Sequence, residues 1–191
     1  SSAGVTQAVP VSIYGATKLA QEHLLASWVS AFGVELSILR LQNVYGPGQS
    51  LINSYTGILS LFCRLARNGK SIPLYEDGKM LRDFILIDDV AAAILQAVDH
   101  NAVSVQPLDI GTGKPISIAA MAAQIAKSYC APAPHVCGKY RYGDVRHAAC
   151  TIDATIAALD WRPRYTTDQG LSALVSWVES QLTDSKNEYS Y

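Results

Sequence analysis

Apolar residues recur at two different periods along this chain, and the alternation between them predicts its architecture. From Tyr14 to Phe32, the residues Leu24, Leu25, Trp28 and Val29 fall at helical spacing, and Gly33 supplies a stop. The run VELSILRL, residues 34–41, reads as a buried strand closed by the turn YGPGQ. A second helix is predicted from about Tyr55 to Asn68, ending at Gly69. SIPLYEDGK gives a short strand and a turn, and RDFILI gives another strand. Asp88 or Asp89 is the expected cap of the helix VAAAILQAV. QPLDIG reads as a strand whose end carries Gly111 and Gly113, and Ser117 caps IAAMAAQIAKSY. After the Pro-rich connection APAPH, Asp153 is the expected cap of a short helix in TIDATIAALDW. The last helix, Thr167 to Leu182, packs Leu171, Leu174, Val175 and Val178, and residues 183–191 are expected to fray. Helices alternating with strands argue an α/β fold with at least part of a parallel sheet. The looser order between the first strand and QPLDIG is what a lobe inserted at the end of the sheet would produce.

Composition narrows the classes. A chain of 191 residues, 49% hydrophobic and 16% charged, has apolar surface enough for a core, either as one domain or as a large piece of something bigger. The net charge is -1 with no long run of either sign, so neither a nucleic-acid-binding stripe nor a basic membrane patch is suggested. The most apolar segment, DDVAAAILQAVDH, is short and bounded by acids, which suits a buried helix rather than a membrane span. Cys63, Cys130, Cys137 and Cys150 form no CxxC pair and read as reduced thiols of a cytoplasmic protein. His135 and His147 interleave with them, but six and twelve residues between successive cysteines match no common zinc pattern, and no metal site is expected. The chain opens without Met, so a fragment or a processed product is one reading of it.

Candidate chemistry begins with SIYGATKLAQEH, where Tyr14 and Lys18 stand one helical step apart on one face. Ionising a tyrosine at neutral pH costs about 4 kcal/mol. A cation about 4 Å away in a partly shielded site returns a stabilisation of the same order. Lys18 is therefore able to make Tyr14 a usable base. The spacing alone is equally that of a plain surface pair.

Four further phrases follow in order: LRLQNVYGPGQ, EDGKMLRDFILIDDVAAAI, LDIGTGKPISI and GDVRHAACTIDATIAALDWRPRYTTDQGLSALVSW. Together with SIYGATKLAQEH they resemble the extended short-chain dehydrogenase/reductase family. Within it they look like the NAD-dependent epimerases and dehydratases of nucleoside-diphosphate sugars, typified by UDP-galactose 4-epimerase. The resemblance covers about Val11 to Leu182. It implies the C-terminal part of a Rossmann-like, doubly wound parallel sheet plus a small α/β substrate-binding lobe. Residues 1–44 would be the tail end of the dinucleotide-binding domain. Residues 45–182 would be the lobe, interleaved with returning Rossmann elements at about 82–113, and 183–191 the tail.

Carried over by residue, Tyr14 would be the acid and base of hydride transfer, and Lys18 would lower its pKa and hold the nicotinamide ribose. Leu41 and Val44 would flank the nicotinamide. Asn43 would contact the sugar-nucleotide diphosphate, Arg82 and Arg146 would clamp it, and Tyr75 would pack on the nucleobase. Guanidinium forks suit phosphate oxygens on independent grounds. The plainer alternatives are a bridge from Arg82 to Asp83, Asp88 or Asp89, and one from Arg146 to Asp144. Ser1 or Ser2 would be the third catalytic residue, or simply a loop serine. His23 reads as a surface or interface residue, and His147 as a support for Arg146.

The departures carry information too. Leu86 replaces the aromatic or His that often follows RDFI in the family. No glycine-rich dinucleotide fingerprint is formed by the 13 glycines, and GTGKPI is a phosphate loop only superficially. The resemblance thus implies a portion of an NAD-dependent sugar-nucleotide epimerase, expected to be inactive by itself. Alternatives are a 4,6-dehydratase, an NADPH-dependent keto-sugar reductase, or a truncated, non-catalytic sugar-nucleotide-binding module. A homodimer through the Tyr–Lys helix is the expected assembly, since Leu24, Leu25 and Trp28 would lack cover.

Overall fold

The computed structural model describes residues 8–51, 57–99, 104–140 and 145–188; Ser1, Ser2, Tyr55 and Asp144 lie outside them. In chain order the elements begin with α1 (Ile13–Phe32), β1 (Ser37–Leu41), β2 (Asn43–Tyr45), α2 (Ile58–Arg67) and β3 (Pro73–Leu74). Next come β4 (Leu81–Arg82), β5 (Phe84–Leu86), α3 (Ile87–Asp99), β6 (Ser104–Ile110) and β7 (Ile116–Ser117). The chain finishes with α4 (Ile118–Ser128), β8 (His135–Val136), β9 (His147–Ala148), α5 (Asp153–Leu159) and α6 (Thr167–Glu188).

The sheet forks at Gln42. Up to that residue the chain runs parallel to β6, with Leu39 opposite Leu108 and Leu41 opposite Ile110. Beyond it the chain runs parallel to β5, with Asn43 opposite Phe84. Successive amides mark the change of partner: Gln42 N donates to Ile110 O and Asn43 N to Asp83 O, each at 2.9 Å. Further out, β4 lies between β7, which is antiparallel to it, and β9, which is parallel, while β3 pairs with β8.

Two cores flank the fork. Leu59 and Phe62 of α2, Met121 and Ile125 of α4, and Leu174 and Val178 of α6 are buried together, with Tyr45 and Phe84 beneath them. The ring of Tyr45 sits against α6 at Gly170, where a Cβ would collide with its hydroxyl. A second cluster joins Ile85, Val90, Ala93, Leu108, Ile110, Leu159 and Trp161. Each fully buried side chain of this size contributes roughly 1.5–3 kcal/mol, so α2, α4 and α6 are firmly held. The first helix is held otherwise. Val29 is its sole buried residue, and Leu24 remains 69% and Trp28 50% exposed. A two-pronged ion pair from Arg40 of β1 to Glu22, at 2.8 and 2.7 Å, ties it to the sheet.

Helix ends follow local chemistry where the cap is a hydroxyl or a glycine. Ser12 Oγ accepts from Gly15 N and Ser117 Oγ from Ala120 N, both at 3.1 Å, and Gly33 closes α1 in the left-handed region with φ 64°. Two expected acidic caps are corrected. The third helix already starts at Ile87, and Asp89 instead accepts the amides of Arg164 and Tyr165 at 2.9 and 3.3 Å. Asp153 is the first residue of α5 rather than its cap, and the cap position belongs to Ile152. The last helix continues past Leu182 to Glu188. Among the described residues, no helix is long and apolar enough to cross a membrane.

Candidate active site

The Ser12 cap fixes the first turn of α1 and with it Tyr14, which is 72% exposed. Thr17 Oγ1 donates to Tyr14 O at 2.8 Å and so reinforces that turn. One turn on, Lys18 Nζ lies 5.7 Å from the centre of the Tyr14 ring and donates to Gln21 Oε1 at 3.2 Å. Between α1 and β1 runs a groove of about 620 Å³ lined by Tyr14, Lys18, Leu39 and Leu41 among others. Leu41 is the last residue of β1, so Tyr14 and Lys18 face a strand that ends at the fork. Val44 lies past the fork, packed against the second core. Asn43, Tyr75, Arg82 and Arg146 are not among the residues lining this groove.

Those four gather on the far side of the fork. Arg82 is almost buried, at 9% exposure, and its Nη1 donates to Leu81 O at 2.8 Å and to Arg146 O at 3.4 Å. The backbone repeats the link, because Leu81 N also donates to Arg146 O, at 3.0 Å. The two arginines are therefore neighbours on paired segments. The guanidinium of Arg146 projects toward the turn after β3, where Nη1 meets Glu76 Oε2 at 2.9 Å and Nη2 meets Asp77 Oδ2 at 2.5 Å. That hydrogen bond, with help from the Lys79 amide, holds the Asp77 carboxyl below the usual carboxylate range. Tyr75 precedes these acids and packs, partly buried, against the first core. Asn43 joins the group through its amide bond to the carbonyl of Asp83, next in the chain to Arg82.

Asp83 is the residue that sequence reasoning undervalued, having named it as a partner for Arg82 alone. Its side chain is fully buried in the fork. One oxygen accepts from Thr112 N at 2.9 Å and Thr112 Oγ1 at 2.5 Å, and the other accepts from Gly113 N at 2.8 Å. Cys150 Sγ donates to it at 3.6 Å, and burial, aided by that carboxylate, pushes the thiol up to about 12. Two amides of the GTG turn, those of Thr112 and Gly113, are thus committed to Asp83 rather than to a phosphate. No side chain fits at Gly111, where a Cβ would stand 2.7 Å from Asp83 Oδ2 and 2.8 Å from Cys150 Sγ. The signal available in the sequence was an acid just before an apolar strand and a glycine-rich turn downstream. His23 and His147 are exposed.

A parallel sheet that splits beside a helix has the form of a doubly wound α/β fold, in which ligands bind where the strand order changes. Residues 2–111 match the NAD dependent epimerase/dehydratase family, and the chain belongs to that family. It is 54% identical over 187 residues to a dTDP-L-rhamnose 4-epimerase of Burkholderia thailandensis, covering 98% of this chain and 51% of that protein. Among solved structures, a UDP-N-acetylglucosamine 4-epimerase of Methanobrevibacter ruminantium, in complex with UDP-N-acetylmuramic acid, superposes with a TM-score of 0.85. That pair is 25% identical, over 93% of this chain and 57% of the other. A UDP-glucuronic acid 4-epimerase of Bacillus cereus, in complex with UDP-glucuronic acid and NAD, gives 0.80 at 25% identity over 93% and 56%. The chain spans about half the length of the curated relatives it matches.

Proposed function

We propose that this chain carries the catalytic Tyr–Lys pair and the substrate-holding lobe of an NAD-dependent sugar-nucleotide 4-epimerase, with a dTDP-linked deoxysugar as substrate. The observation carrying the reading is the 54% identity to a dTDP-L-rhamnose 4-epimerase, sustained over 98% of the chain. The donor set suits the cofactor at one end. The Lys18 ammonium and Tyr14 hydroxyl would hold the nicotinamide ribose and Leu41 and Val44 would flank the nicotinamide, while no residue of the chain forms the glycine fingerprint that grips a pyrophosphate. NAD, when bound, supplies the acceptor and donor of hydride. Tyr14 would take the proton of the sugar hydroxyl and return it, and Lys18 would favour the phenolate through its charge. Asn43, Arg82 and Arg146 would hold the diphosphate, with Tyr75 near the base. A cytoplasmic location and a homodimer through α1 belong to the same proposal.

The test is Tyr14→Phe in the complete enzyme. Loss of a proton-transfer group lowers turnover about 100-fold or more. Binding of dTDP-sugar, followed by calorimetry, should stay within twofold. Activity within tenfold of the unmodified enzyme would sink the assignment. The chain by itself is expected to bind dTDP and to show no measurable affinity for NAD in the same calorimeter.

A further inference from the structure

We propose that Glu76 and Asp77 are exchangeable counter-ions of Arg146: they hold its guanidinium in the ligand-free protein and compete with the incoming diphosphate for it. This rests on the reading of Arg146 as a diphosphate ligand and adds to it a pair of residues that set how readily the arginine is surrendered.

The turn that bears the two carboxylates is fixed and the arginine side chain is the movable member. Three hydrogen bonds and one constrained backbone angle hold the turn. Glu76 N donates to Lys139 O at 2.7 Å and Gly78 N to Tyr75 O at 3.0 Å. Lys79 N donates to Asp77 Oδ1 at 2.9 Å. Glu76 itself adopts φ 51°, a conformation that ordinary side chains avoid and surrounding contacts must impose. The carbonyl of Arg146 is held by Leu81 N and Arg82 Nη1, and its long side chain is 48% exposed. The side chain can swing away from a turn whose backbone cannot follow.

Charge gives the competition its sign. One guanidinium against two carboxylates leaves this ion triplet at -1. A diphosphate therefore meets the acids together with the arginine until they release it. Exposed ion pairs are individually weak, so a bidentate phosphate can displace them. A guanidinium has five donors, and those engaged by Glu76 and Asp77 are the two fork ends that a phosphate would also seek.

The experiment titrates dTDP into this chain by calorimetry, as wild type and as the double variant Glu76→Gln, Asp77→Asn. The amide oxygens of Asn and Gln can still accept hydrogen bonds, including the one from Lys79, so the turn is retained, which the melting temperature checks. Binding should tighten about tenfold in the double variant, and the gain should vanish when Arg146→Ala is added. Unchanged or weaker binding by a folded double variant overturns the proposal while leaving the diphosphate role of Arg146 standing. An Arg146→Ala single variant that binds dTDP as well as wild type removes that role, and the counter-ion proposal falls with it.

Discussion

At Asp83 one carboxylate meets two amides, a hydroxyl and a thiol that the splitting of the sheet would otherwise leave without partners. A buried donor deprived of its acceptor costs about 1–3 kcal/mol. Asp83→Ala, which strands several at once, is expected to lose roughly 3 kcal/mol or more in urea denaturation, and Asp83→Asn less. If Asp83→Ala melts like wild type, the fork is held by something else. The contrast with Arg82 shows what a sequence can disclose about a site. RDF advertises a guanidinium whose chemistry is local and generic, so a phosphate role for Arg82 and Arg146 can be proposed from the sequence. The donors to Asp83 stand 29, 30 and 67 positions further on. No spacing rule links an acid to a turn that only the fold brings to it. The same blindness misplaced Asp89, whose partners lie 75 and 76 residues away.

The first helix makes the corresponding point for elements. Its limits were legible to within a residue, because Ser12 and Gly33 encode them chemically. Its surroundings were legible too: the apolar positions Leu24, Leu25 and Trp28 stand exposed as expected, with Phe32 stacked near Trp28 at a ring separation of 5.2 Å. A helix that leaves several large apolar side chains in water favours association. Light scattering of this chain at tens of micromolar is expected to report dimers or larger species, with Leu24→Ser plus Trp28→Ser shifting them toward monomer. A wild-type chain that is strictly monomeric would remove the case for α1 as an interface. The strands β7, β8 and β9, two residues each, escaped the sequence reading because no period exists within two residues. They pair only because longer elements bring their ends together.

Across the whole molecule, an α/β fold with parallel pairing follows from the alternation of periods, whereas the division into two cores does not. Leu59 and Val90 look alike in sequence, and topology alone assigns them to different clusters. The first core conceals weak acids, and a further one, Cys150, lies buried beside Asp83. Burial pushes Tyr45 and the Cys63 thiol up to about 12, as it does Cys150. Since these groups ionise at lower pH when unfolded, the unfolded chain releases their protons first. Their contribution to stability is therefore complete below about pH 9 and is lost as pH rises toward 12. Chemical denaturation at pH 8, 9, 10 and 11 should show a progressive fall, on the order of 1 kcal/mol or more per pH unit at the upper end. A flat profile would mean that these groups are not buried. The contact between Tyr45 and α6 has a further, kinetic consequence. The tyrosine hydroxyl and its acceptor, the carbonyl of Thr167, are 122 positions apart. Closing so long a loop precedes any reward from the contact, which slows folding and places this step late. On a ribosome the sheet can form as it emerges, but the core around Leu59, Phe62 and Met121 stays incomplete until the last helix has been synthesised and its glycine notch has settled over the ring.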